Sequence, residues 1–241
     1  MEALPTWEPV RRPPTHKLVL AQVEEQILAG RLKVGQRLPS ERHLVTALGV
    51  SRTSVREALR GLEAMGIIEA RVGSGPDAGW TVAGRSPEAM GTLLRLHVAL
   101  AEVSLSDLVE VRVQLERQAA EAAAIRRTDD DLRELRALVE ATRDPRISQG
   151  EFNELDTEFH VRIAAASGNT LAADLMQALR AAVKGWMISA FDRISDWRAV
   201  ADRLLAEHEQ VVDAIERRDG ARAGELVAGH ITEFYEGRGR A

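Results

Sequence analysis

From Pro87 onward the apolar residues recur three or four apart, and no stretch shows the alternation of a half-buried strand. That single periodicity predicts an all-α bundle, with helices over 87–101, 107–127, 129–143, 149–166, 170–191, 197–218 and 220–236. Several starts carry residues that satisfy the free N–H groups of a first turn. These are Thr128 before three aspartates, Ser148 with Glu151 as a capping box, Asn169 and Asp219. The connections are short, so neighbouring helices must run antiparallel.

The first third of the chain reads differently. Residues 1–14 hold four of the eight prolines and show no periodicity, which marks a flexible arm. A helix with Leu20, Val23 and Ile27 on one face begins near Lys17 and stops at Gly30, and a loop containing Gly35 and Pro39 follows. Ser40 caps a short helix bearing Leu44, Ala47 and Leu48, which Gly49 ends. Ser51 caps the next, which runs to about Met65 with Val55, Leu59 and Leu62 as its apolar stripe and Gly66 as its break. Two short helices joined by a Gly-Val-Ser turn make a helix-turn-helix. Residues 67–72 and 80–82 read as the strands of a wing, with 73–79 as its tip. The expected fold is therefore mainly α: a winged helix-turn-helix over 15–83, a linker at 84–86, an antiparallel helical bundle over 87–236 and a tail at 237–241.

Composition narrows the chemistry. There is no uncharged apolar run long enough to span a membrane, and the first residues carry acids and prolines in place of a signal peptide, so a cytoplasmic protein is expected. Cysteine is absent, which removes disulfides, thiolate zinc sites and cysteine nucleophiles, and leaves any metal to nitrogen and oxygen ligands. The net charge is -5, but it is unevenly placed. Residues 1–85 carry 12 Lys and Arg against 9 Asp and Glu, or +3, and the remainder carries 20 against 28, or -8. A basic head on an acidic body is compatible with one end meeting phosphates.

The second helix of a helix-turn-helix presents its N-terminal end to the major groove. Here Arg52 and Arg56 are four apart and share a face, Arg60 continues the row, and Arg42 on the preceding helix is placed to approach the backbone. An arginine fork can bond guanine O6 and N7 together or clamp a phosphate. Exposed charge rows are common on helices, so it is the capped helix pair, the wing and the row together that favour DNA reading.

A second constellation lies in the bundle. Asp156 and His160 are four apart and project from one helix face. His208 and His230 each lie eleven residues from Asp219, the expected turn, so they stand at one level about 16 Å along an antiparallel hairpin. A lone helical histidine is usually solvated or satisfied, but one carboxylate with three imidazoles suits zinc, nickel, iron or manganese and leaves coordination positions open. His16, His43 and His97 fall outside the group.

The stretch LPSERHLVTALGVSRTSVREALRGLEAMGIIEARVGSG resembles the DNA-binding domain of the GntR family of bacterial regulators. The segment LDTEFHVRIAAASGN, with the two later histidines, resembles the metal-binding pattern of the FCD domain of the FadR-like subgroup. Together the resemblance covers about residues 15 to 236. It implies operator contacts from Arg42, Arg52, Thr53, Ser54, Arg56 and the wing's Gly73, and a divalent metal held by Asp156, His160, His208 and His230. Two positions depart from the pattern: His43 stands where the family usually has Glu, and the wing is a few residues longer. The segment VEVRVQLE resembles the one whose arginine meets the carboxylate of an organic-acid effector, which makes Arg112 a candidate. An ordinary pair with Glu116, four residues on, is the alternative. Trp186, Trp197 and Phe191 are read as core packing rather than cavity lining.

The expected function is a ligand-responsive transcriptional regulator, a homodimer on palindromic double-stranded operator DNA. A small organic acid bound near the metal would change the bundle, and the linker would pass that change to the DNA heads. The rivals are a pure metal sensor and a metal-dependent enzyme. Against the enzyme, the sequence has no HExxH motif and no serine nucleophile elbow, and a DNA-binding head suits no metabolic enzyme.

Overall fold

The structure, a computed structural model, describes residues 13–71, 79–101, 103–191, 194 and 196–236. The chain divides into two compact units, Met1–Ser86 and Pro87–Ala241. Among the described residues no helix is long and apolar enough to cross a membrane.

The first unit contains α1 (Thr15–Leu28), α2 (Glu41–Leu48), α3 (Arg52–Ala64) and an antiparallel pair, β1 (Ile68–Arg71) with β2 (Gly79–Val82), in the register Ile68 opposite Val82. The expected caps form. Ser40 Oγ accepts the His43 N–H, Ser51 Oγ accepts the Ser54 N–H, and Gly49 turns the chain between the two helices with φ of 63°. A positive φ of that kind suits glycine because it has no Cβ to clash. Val55, Ala58, Leu59 and Leu62 form the buried face of α3, packed with Val23, Leu38, Leu44, Ile68 and Val82. One feature departs from the sequence reading. Residues 35–38, expected as loop, extend the sheet: the Gly35 N–H bonds Val82 O at 3.0 Å, Val82 N–H bonds Gln36 O at 2.8 Å and Leu38 N–H bonds Trp80 O at 2.9 Å. Those partners lie more than 40 residues on in sequence, beyond the reach of a local pattern. The wing tip and Gly73 fall outside the described residues.

The second unit holds α4 (Pro87–Leu100), α5 (Leu105–Arg126), α6 (Asp129–Ala141), α7 (Gln149–Ala166), α8 (Thr170–Phe191), α9 (Trp197–Glu216) and α10 (Gly220–Glu236). Its N-termini are held by side chains. Thr128 with Asp131 and Ser148 with Glu151 make reciprocal capping boxes, and Asn169 and Asp219 each accept a backbone N–H three residues on. A further box, Ser104 with Asp107, starts α5 two residues earlier than the periodicity indicates. Such caps contribute about 0.5–2 kcal/mol each. The core runs between α5, α6, α7, α8, α9 and α10, where Phe159, Ile163, Met176, Val212, Ile215 and Ile231 are buried with a row of alanines from α5.

Small residues set how closely α5 and α10 approach. A Cβ on Gly220 would lie 2.9 Å from the Glu121 carbonyl oxygen, and one on Gly224 would lie 2.7 Å from Glu121 Cγ. Two glycines one turn apart thus let the start of α10 rest directly on α5. Further along α10, His230 lines one small void with Arg112 of α5.

Candidate metal centre and DNA-reading surface

In the first unit the exposed end of α3 carries Arg52, Thr53 and Arg56, with Arg60 a turn beyond and Arg42 exposed on α2. Glu41, at the start of α2, stands between two of them: its Oε2 is 3.8 Å from Arg52 Nε and 3.7 Å from Arg56 Nε. These are loose contacts between largely exposed groups, worth little in water. They hold the two guanidinium groups side by side and leave their outer donors free to meet a phosphate or a base edge. Ser54 is partly committed, since its hydroxyl lies 2.9 Å from Ser51 Oγ.

In the second unit Asp156 and His160 come from α7, His208 from α9 and His230 from α10, and all four are buried. One ligand atom from each can be chosen so that all lie within 4.8 Å of one another. His208 Nε2 is 3.3 Å from His230 Nε2 and 3.3 Å from Asp156 Oδ1, and His160 Nε2 is 3.5 Å from the same oxygen. An ion with bonds of ~2.1 Å holds adjacent donors ~3.0–3.4 Å apart and opposite donors ~4.2 Å apart. The three short spacings, 3.3 to 3.5 Å, are close to those of adjacent donors in one coordination sphere. His160 Nε2 has no hydrogen-bond partner among the described residues, a costly arrangement for a buried nitrogen unless an ion satisfies it.

The surrounding groups prepare the imidazoles for that work. His230 Nδ1 is 2.7 Å from Glu207 Oε2, and His160 Nδ1 lies beside Glu116 Oε2 without the alignment of a hydrogen bond. A carboxylate on Nδ1 keeps the proton there and leaves the Nε2 lone pair for a metal. Burial lowers the His208 imidazole to about 4, with His230 and His160 adding to the effect against the pull of Asp156. Burial also lowers His230, outweighing Glu207. Both rings are therefore neutral near pH 7, the form that ligates. Burial alone would raise the Asp156 carboxyl, but the Arg180 guanidinium and His160 hold it well below the usual range.

Three contributors around this centre carried no sequence motif. Arg180, from α8, is 2% exposed and bonds Asp156 Oδ2 and Thr157 Oγ1, which leaves Asp156 Oδ1 facing the imidazoles. Its only sequence signal is a charge among apolar residues of α8. Glu116, which spacing marked only as a partner for Arg112, and Glu207 lie on other helices than the histidines they face, and spacing alone does not assign them to this centre.

Arg112 satisfies both of its sequence readings in part. It is buried, its Nε donates to Glu116 Oε1 at 2.5 Å, and its Nη1 donates to Tyr235 Oη at 3.2 Å. It also lines, with Asp156 and His230, a small void of about 10 Å³ bounded by Met187, Leu204, Ile231 and Phe234. The guanidinium thus stands beside the four-ligand group, already held by a carboxylate. Trp197 packs edge-on against Phe152 with centroids 5.1 Å apart, as core. Trp186 is 40% exposed and belongs neither to the core nor to the void, because α8 turns that side outward. The side chain of Phe191 lies outside the described residues.

A winged helix-turn-helix with a basic reading end, followed in the chain by a helical unit with a buried polar centre, defines a two-domain DNA-binding transcriptional regulator. Residues 15–76 match the bacterial regulatory proteins of the gntR family, and residues 107–233 match the FCD domain. The chain belongs to the GntR family and carries an FCD domain. It is similar to the HTH-type transcriptional regulator LutR of Bacillus subtilis strain 168, at 30% identity over 216 residues that cover 86% of this chain and 93% of that one. It is also similar to the Glc operon transcriptional activator of Escherichia coli strain K12, at 29% identity over 86% of this chain and 82% of that one. Among solved structures, a GntR protein of Streptococcus agalactiae aligns with a TM-score of 0.64 at 27% identity, covering 92% of this chain and 99% of that one. The family and these relatives are transcriptional regulators rather than enzymes, which sets aside the metal-dependent enzyme.

Proposed function

We propose that this regulator binds its operator under the control of a small organic acid held beside a divalent metal in the helical unit. The observation that carries the reading is the convergence of Asp156, His160, His208 and His230, buried, with ligand atoms within 4.8 Å of one another. An ion there supplies positive charge and open coordination positions for a carboxylate oxygen. Arg112, on the wall of the same void, would fix the orientation of the acid with its planar donors. Zinc, nickel, iron and manganese all suit three imidazoles and one carboxylate.

At the other end Arg42, Arg52, Thr53, Ser54 and Arg56 would meet the operator, in a homodimer whose two heads match the halves of a palindrome. Residues 84–86 would join the two units and carry the coupling between ligand and DNA. The metal is tested by elemental analysis of purified protein. The expected content is about one divalent ion per chain, lost in His160→Ala, His208→Ala and His230→Ala. Full metal content in the triple variant would overturn the assignment. A response to acid that survives complete chelation would make the ion structural, and a response to metal alone would favour the pure metal sensor.

A further inference from the structure

The void beside Arg112 and Asp156 has a volume of about 10 Å³, close to the minimum for a single water. No organic acid fits there unless something leaves. Its apolar walls, Met187, Leu204, Ile231 and Phe234, belong to the interior of the unit, where displacement opens a core. Tyr235 is different. It is only half buried, so displacing its side chain gives up less buried area than displacing any of those walls.

Tyr235 also belongs to two places at once. It lines an open groove of about 470 Å³ between α5 and α10, together with Leu105, Val109, Val113 and Thr232. That is the size of an ordinary small-molecule cleft. Its hydroxyl reaches the other way, accepting from Arg112 Nη1 at 3.2 Å and donating to Met187 Sδ at 3.0 Å. Tyr235 therefore stands between an open groove and the narrow space at the four-ligand group.

Resting on the effector reading above, we propose that Tyr235 is a placeholder and gate: its hydroxyl occupies the position on Arg112 that the acid's carboxylate takes, and the acid enters from the α5–α10 groove. A neutral phenol is a weaker acceptor for a guanidinium than a carboxylate, so the exchange is downhill on the protein side. Arg112 keeps Glu116 on its Nε throughout, so only the Nη1 bond changes hands. The released ring remains in the groove that Tyr235 already lines.

The chain has a single tyrosine, so fluorotyrosine incorporation gives one fluorine resonance that reports Tyr235 alone. In zinc-loaded full-length protein, acetate, lactate and malonate are titrated to about 50 mM while calorimetry measures binding. At least one acid is expected to move the resonance in step with its binding heat, and Arg112→Lys is expected to lose both while retaining zinc. Tyr235→Phe removes the competitor and leaves a buried N–H wanting an acceptor, so it should bind the same acid roughly 2- to 10-fold tighter with unchanged zinc content. Binding heat with an unmoved resonance would overturn the gate, as would weaker binding by Tyr235→Phe, which would make the hydroxyl a ligand contact. An unchanged affinity in that variant would overturn the placeholder. Absence of both heat and shift for every acid would defeat the carboxylate reading as well, and so is distinguishable from failure of the gate alone.

Discussion

Replacing Glu116 by Ala is the most demanding test of the buried polar centre. Glu116 and Arg112 side chains are each 3% exposed and paired at 2.5 Å, one turn apart on α5. Burial alone would raise the Glu116 carboxyl, but Arg112 and His160 hold it below the usual carboxylate range, so the pair is ionised at neutral pH. Removing the carboxylate leaves a guanidinium in the interior bonded to the neutral Tyr235 hydroxyl. Breaking a buried pair in this way costs about 3–5 kcal/mol, whereas replacing both partners with apolar residues of similar volume is far milder. Glu116→Ala should therefore destabilise the helical unit by about 3–5 kcal/mol, and Arg112→Leu with Glu116→Leu by clearly less than Glu116→Ala alone. The assay is urea unfolding of chelator-treated protein, which removes the linkage of metal binding to stability. A cost below about 1 kcal/mol for Glu116→Ala would show that the pair is hydrated, and the reasoning from burial would fail.

Two further outcomes are expected. Gly220→Val should lower stability by about 1–3 kcal/mol in the same unfolding assay, because its Cβ would fall 2.9 Å from the Glu121 carbonyl oxygen and force α10 off α5; an unchanged midpoint would show that the contact yields freely. Arg52→Ala and Arg56→Ala should each weaken specific operator binding by about 1–3 kcal/mol in a salt-controlled titration, and unchanged affinity in both would remove α3 as the reading helix.

What the sequence determined by itself is whatever rests on bonds between near neighbours. Ser40, Ser51, Thr128 and Ser148 each accept a backbone N–H three residues on, so the helix starts they mark are written locally. The pairing of Asp156 with His160 follows from one turn of helix. The meeting of His208 with His230 follows from equal distances to a turn, and their Nε2 atoms stand 3.3 Å apart. Tertiary structure decided what depends on contacts across many residues. Residues 35–38 join the sheet through partners on β2, and no local signal announces it. Arg180 reaches Asp156 from 24 residues away, on a different helix. Arg112 shows the division most plainly, since spacing offered a pair with Glu116 and the family resemblance offered a place at an effector. Only the packing of α5 against α10 puts both within reach of one guanidinium, because side-chain surroundings are set by which helix faces meet, and a local pattern carries no record of its partner.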